Sequence, residues 1–159
     1  MPRHPRVVNL DEMEWNERAH GERFAMQFKR IGNQAGSKQL GCSLYRVAPG
    51  KTAFPAHRHH ANDEAVFILE GEGTLRLGDE RIPVRKGDYI AFPAGEAAHQ
   101  LVNTSAGHLE YLCFSTMIGT EIVEYPDSDK VAAMVWTSAQ PALRAIFKKS
   151  STVDYYEGE

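Results

Sequence analysis

His57-Arg58-His59-His60-Ala61-Asn62-Asp63-Glu64 places three of the chain's seven histidines within four residues, and two acids close the stretch. On an extended strand, side chains alternate between faces, so His57 and His59 point one way and His60 the other. Two imidazoles on one face, with a carboxylate a short turn later, can converge on one point. Imidazole and carboxylate donors suit zinc, iron, manganese, copper or nickel. Asp63 and Glu64 compete for the carboxylate role. His60 enters only where a bulge shifts the register. Taken alone, the same residues also describe an exposed polar loop, and the flanking sequence has to decide.

Downstream, Ala65-Val66-Phe67-Ile68-Leu69 is an apolar run of strand length, expected to be buried on both faces. Thr74 to Leu77 and Arg81 to Val84 flank the tight turn Gly78-Asp79, a hairpin signal. Pro83 in the return strand argues for an edge. Tyr89 to Phe92, His99 to Asn103 and Leu109 to Phe114 continue the series. Upstream, Leu40 to Val47 and the alternation Phe24, Met26, Phe28 read as strands. The segment 32–37 reads as a loop. Glu12 to Arg23 has room for a turn of helix, and Trp15 is the expected anchor of an N-terminal arm over residues 1–23. After Ser115, Tyr125 to Ser128 is a turn, and Val131 to Trp136 and Leu143 to Phe147 are strands. Short strands at intervals of about 8–12 residues, punctuated by Gly and Pro, point to an all-β sandwich or barrel.

At 159 residues, one domain is the expectation. The composition, 42% apolar and 25% charged, is that of a globular protein able to bury its own core. The net charge of -3 is uneven: residues 1–60 carry 10 Lys+Arg against 5 Asp+Glu, and the remainder carries 8 against 16. Neither part has a basic run with interleaved aromatics, which argues against nucleic acid as a partner. No apolar run approaches membrane-spanning length, and none follows Met1 to Arg6 as a signal core. Cys42 and Cys113 form no motif and read as buried free thiols. A soluble cytoplasmic protein is the resulting expectation.

Two ordered blocks emerge. The first is Gly50, His57-x-His59, Glu64 and Gly71; the second is Gly87, Pro93-x-Gly95, His99 and Asn103. Together they resemble the paired signature motifs of the cupin superfamily, with one extra residue after Gly50 and one after Gly95. The resemblance covers about residues 40–115. It implies a double-stranded β-helix, a jelly-roll barrel with a metal at its mouth, flanked by an N-terminal arm (1–23) and a C-terminal extension (116–159). It implies His57, His59, Glu64 and His99 as ligands of one divalent transition metal (zinc, iron, manganese or nickel), and it favours Glu64 over Asp63. Leu69 to Arg76, Pro126-Asp127-Ser128 and the terminal Asp154 to Glu159 further resemble small single-domain bacterial cupins that are sugar-phosphate isomerase-like by distant similarity. The implied partner is a small-molecule substrate, and the implied assembly a homodimer. A non-haem iron or manganese dioxygenase, or a non-catalytic ligand-binding cupin, are the rival readings. Catalytic residues beyond the ligands are unknown at this stage, because Glu64 cannot act freely as a base while it ligates metal. Arg46 and Lys51 are the nearest candidates for a phosphate.

Beside this constellation, His4, His20 and His108 read as surface residues, Asn103 as a turn former, and Tyr45, Tyr89 and Phe92 as barrel packing.

Overall fold

Alternating apolar and polar residues and closely spaced Gly/Pro turns make strands in this chain, with little opportunity for helix. The computed structural model describes residues 3–136 and 141–159. Among them the strands run in order β1 (Asn16–His20), β2 (Phe24–Lys29), β3 (Leu40–Val47), β4 (Arg58–His59), β5 (Glu64–Glu70), β6 (Glu72–Leu77), β7 (Glu80–Arg85), β8 (Tyr89–Phe92), β9 (His99–Val102), β10 (Leu109–Thr116), β11 (Thr120–Tyr125), β12 (Lys130–Trp136) and β13 (Pro141–Lys148). The one α-helical element among the described residues is a single turn, α1 (Ile31–Gln34), which opens the stretch expected to be loop. No helix of the described residues is long and apolar enough to cross a membrane.

One sheet has the order β1-β2-β3-β10-β5-β8, with neighbours antiparallel. Facing it are the three strands β7-β6-β9 and the four strands β13-β12-β11-β4. These two groups meet at His57 and His99, which exchange backbone hydrogen bonds of 3.1 and 2.8 Å. The result is a double-stranded β-helix of two antiparallel layers. Pro83 lies on β7, at the edge of its sheet, where the missing N–H costs no ladder bond.

The core fills the space between the layers. Ile68, Leu109, Val47 and Leu75 are buried at its centre, with Phe28, Tyr45, Phe54 and Tyr111 packed alongside. The rings of Tyr45 and Phe54 meet edge-on at 5.2 Å, a favoured aromatic geometry. Burying a side chain such as Ile68 is worth about 1.5–3 kcal/mol. Gly71 turns β5 into β6 at φ 83°, and a Cβ there would collide with the His108 carbonyl. Only glycine fits such a close approach in the left-handed region.

Several expectations need correction. Phe67 and Tyr89 point outward from the sheet, and Tyr89 is 66% exposed, so β5 is not buried on both faces and Tyr89 is not barrel packing. Their pairing across β5 and β8 fixes this, because opposed residues share a face. Glu12 to Arg23 holds no α-helix: a short 3-10 turn at Leu10–Glu12 leads into β1, an exposed edge strand. Trp15 does anchor the segment, lying between the Lys29 ammonium at 4.4 Å and the Arg46 guanidinium at 4.3 Å. Both cations sit over the electron-rich ring face.

Candidate metal centre

Each member of the 57–64 stretch is aimed by a local pairing. β4 lies against β11, with His59 opposite Val123. The Gly95 N–H donates to the His59 carbonyl at 2.7 Å, which ties the Pro93-x-Gly95 turn to β4. Gly95 takes φ 79° there. Glu64 opens β5 and faces the interior, two positions from the buried Val66. His99 opens β9 and is nearly buried, with its ring stacked on Phe92 at 3.8 Å between centroids.

These elements bring all four residues of the sequence reading together. Glu64 Oε2 lies 3.2 Å from His99 Nε2, 3.5 Å from His59 Nε2 and 3.7 Å from His57 Nε2. His57, Glu64 and His99 present ligand atoms all within 4.8 Å of one another. His59 stands wider, with its ring 6.4 Å from that of His99. Two of the imidazoles are turned by partners behind them. His57 Nδ1 contacts the Pro55 carbonyl at 2.8 Å, and His59 Nδ1 contacts Glu121 Oε2 at 3.3 Å. With Nδ1 engaged by these partners, Nε2 is the ring nitrogen that faces the centre. The second Glu64 oxygen has the Cys113 sulfur 4.0 Å away.

The electrostatics follow from this crowding. Burial pushes the Glu64 pKa up, but hydrogen bonds from the three imidazoles outweigh it and hold the carboxyl well below its usual range. For His59, burial lowers the pKa, and the Glu64 and Glu121 carboxylates raise it further than burial lowers it. His99 shifts down, because burial and the neighbouring imidazoles outweigh Glu64. Burial drives the Cys113 thiol well up, with the Glu64 charge adding to it, so it stays protonated. An ionised carboxylate beside at least one neutral imidazole is a donor set able to accept a divalent cation.

Glu121 is the site residue that the sequence reading missed. It lies on β11, is almost wholly buried, and is satisfied on every side. The backbone N–H groups of His60, Ala61 and Asn62 donate to it at 3.1, 3.1 and 2.9 Å, and the Asn62 side-chain amide adds a fourth bond. One buried carboxylate thus shapes the turn between the histidines and Glu64 and also backs His59. The bystanders are equally plain. His60 is exposed and contacts Glu124 at 2.8 Å, while Asp63 accepts the Ala94 N–H at 2.8 Å. Asn103 is fully buried and donates to the Val47 and Gly107 carbonyls, closing a turn. His4, His20 and His108 are surface residues. Arg46 pairs with Glu110 at 2.5 Å and Lys51 donates to the Glu22 carbonyl, so neither serves the centre.

The Cupin_2 family, a cupin domain, matches residues 43–115. An uncharacterized protein of Streptomyces coelicolor is 32% identical over 92 residues, 58% of this chain and 79% of its own length. The chain belongs to the cupin superfamily. Other curated relatives are matched over about half of their own length. Among solved structures, a sugar phosphate isomerase of the cupin superfamily from Silicibacter pomeroyi is similar, with TM-score 0.79 and 27% identity over 92% of this chain and 94% of that one. A protein proposed to be a sugar phosphate isomerase from Acidithiobacillus ferrooxidans shares the fold at TM-score 0.83 and 23% identity, covering 96% of this chain and 98% of the other.

Proposed function

We propose that His57, His59, Glu64 and His99 hold one divalent transition metal and that the cupin uses it to isomerise a small polar substrate of the sugar-phosphate class. The observation that carries this reading is the convergence of three Nε2 atoms on one Glu64 oxygen at 3.2 to 3.7 Å. The donors fit a cation of the zinc, iron, manganese or nickel type, because the carboxylate is ionised and two rings are held by bonds at Nδ1. The likeness to the Silicibacter pomeroyi sugar phosphate isomerase over nearly the whole of both chains supports the substrate class.

When bound, such a metal supplies Lewis-acid polarisation of a carbonyl oxygen. The chain's own residues do the rest. Pro55 and Glu121 fix two rings from behind, and Phe92 holds His99 by stacking. Tyr125 lies beside His57, with ring centroids 6.2 Å apart. Burial raises its pKa, so the phenol stays protonated and can donate to a substrate oxygen.

Elemental analysis after reconstitution, comparing wild type with His57→Ala/His99→Ala, tests the ligands; equal metal in both proteins overturns them. An aldose–ketose interconversion assay over phosphorylated sugars tests the reaction. Oxygen uptake that requires ferrous iron, without isomerisation, would transfer the assignment to a dioxygenase. Stoichiometric metal with no turnover would transfer it to a binding cupin.

We also propose that residues 1–159 form one unit and pair as a homodimer. β1 and β2 extend one layer and β11 to β13 the other, which supports a single unit. Leu143 and Phe147 are exposed on the edge strand β13, and Tyr155 and Tyr156 are 87% and 75% exposed, which supports a partner. Light scattering at the monomer mass would refute the dimer. A reducing, cytoplasmic setting suits the two free thiols of Cys42 and Cys113.

A further inference from the structure

The hairpin β12–β13 carries three cations, Lys130, Arg144 and Lys148, on the same face as the candidate metal centre. Glu121, Val123 and Tyr125 of β11 stand opposite Met134, Ala132 and Lys130 of β12. Met134, Ala132 and Lys130 in turn stand opposite Arg144, Ile146 and Lys148 of β13. Opposed residues of antiparallel strands share a face. Lys130 and Arg144 therefore lie on the face that brings Glu121 to His59 and Tyr125 to His57.

The neighbouring cations are already engaged. Arg58 and Lys149 pair with Glu124, Arg76 pairs with Asp127, and Lys148 donates to the Ser128 carbonyl. Among the described residues, Lys130 and Arg144 have no ion pair and no side-chain hydrogen bond. Lys130 is half-buried, with its ammonium 5.6 Å from the centre of the Tyr125 ring. Arg144 is exposed and stands opposite Met134 of β12, on the same face. Two cations without an ion pair among the described residues thus share the strand face from which Tyr125 reaches His57.

We propose that Tyr125, Lys130 and Arg144 form an anion-binding wall of the metal centre, taking the phosphate or carboxylate end group of a small substrate whose other end reaches His57 and Glu64. Lys130 supplies a point charge, Arg144 a planar fork that fits two oxygens, and Tyr125 a hydroxyl donor. Lys130 is half-buried and Arg144 exposed, so the Lys130 charge is the less screened of the two. The wall deepens the isomerase reading and rests on it for the role of the bound anion, but anion binding itself is separable from metal binding.

The test is an amide-resolved NMR titration of the full-length protein at fixed ionic strength, with inorganic phosphate, malonate and neutral glucose as separate probes. Saturable shifts centred on Tyr125, Lys130 and Arg144 are expected, with none from glucose. Binding of phosphate alone identifies a phosphoryl group, and binding of malonate alone a carboxylate. Lys130→Met/Arg144→Gln should weaken the bound anion about tenfold or more, the loss of one or two charge-assisted bonds. Lys130→Arg, which keeps the charge, should retain binding. Shifts that saturate elsewhere, or an unchanged affinity in the double variant, overturn the wall. Repeating the titration on His57→Ala/His99→Ala, with zinc content measured on each sample, separates the two readings. Anion binding that survives the loss of zinc upholds the wall even where the metal reading fails. Stoichiometric zinc in wild type without any saturable anion shift overturns the wall alone.

Discussion

At one end of the interior, Ile68, Val47 and Leu109 are sealed among apolar neighbours; at the other, Glu121, Asn62 and His99 are almost as well covered, yet every one is polar. The same strands run through both ends. β10 pairs Leu109 with Val47 at one extreme and Ser115 with Glu64 at the other. The apolar end is held by contacts without direction, and its cost of alteration scales with volume lost. The polar end is held by bonds with direction, where removing one partner strands the next. Stability and metal chemistry should therefore come apart under mutation.

The sharpest separation comes from the proposed ligands. His57→Ala/His99→Ala should reduce reconstituted metal to background with a smaller loss of stability in the metal-free protein than a core deletion; wild-type metal content in the variant would erase the distinction between the ends. Ile68→Ala should do the reverse. Deleting this fully buried side chain should cost about 3–4 kcal/mol in denaturant unfolding, with metal stoichiometry kept at ambient temperature. Glu121→Gln sits between the two. Losing the charge behind His59 should weaken metal affinity about 10- to 100-fold with a smaller loss of global stability, measured by competition against a chelator. An affinity equal to wild type would make Glu121 a support for the 60–62 turn and nothing more.

The smallest effect lies outside both ends. Glu124 is held at a pKa of about 2, first by Lys149, with Arg58 and His60 adding to it. A depressed carboxyl contributes stability that is fully present above its ordinary pKa of 4.5 and is lost as pH falls toward about 2. Glu124→Gln should thus flatten the acid side of the stability profile in that window and leave the neutral side nearly parallel. A steep acid limb in the variant would assign the loss to other carboxylates.

Much of this is legible in the sequence alone. Strand spacing and glycine turns carried the all-β architecture, and the resemblance of two blocks to the paired cupin motifs pointed to the cluster of His57, His59, Glu64 and His99. The illegible parts have physical reasons. Asn16 to His20 is polar throughout because it is an edge strand exposed on both faces, so no periodicity marks it. Tyr89 is aromatic but lies on the outer face, and composition alone does not report which face a side chain takes. Glu121 was hidden because β11 carries a glutamate on each face, Glu121 inward and Glu124 outward. The alternation of that strand is the available signal, but it leaves the direction ambiguous until β4 is paired against it.

The bond between His59 and Glu121 joins residues 62 apart in sequence. During synthesis, the histidine stretch leaves the ribosome well before the carboxylate that will brace it. Contacts of such separation form late, because the intervening chain must first be ordered. Until β11 docks on β4, the turn at 60–62 lacks the acceptor for its three N–H groups. A nascent chain stopped before Thr120 would carry all four proposed ligands and still lack the brace. The proposed centre would therefore become competent to hold a cation only once β11 had docked, after all four proposed ligands had been made.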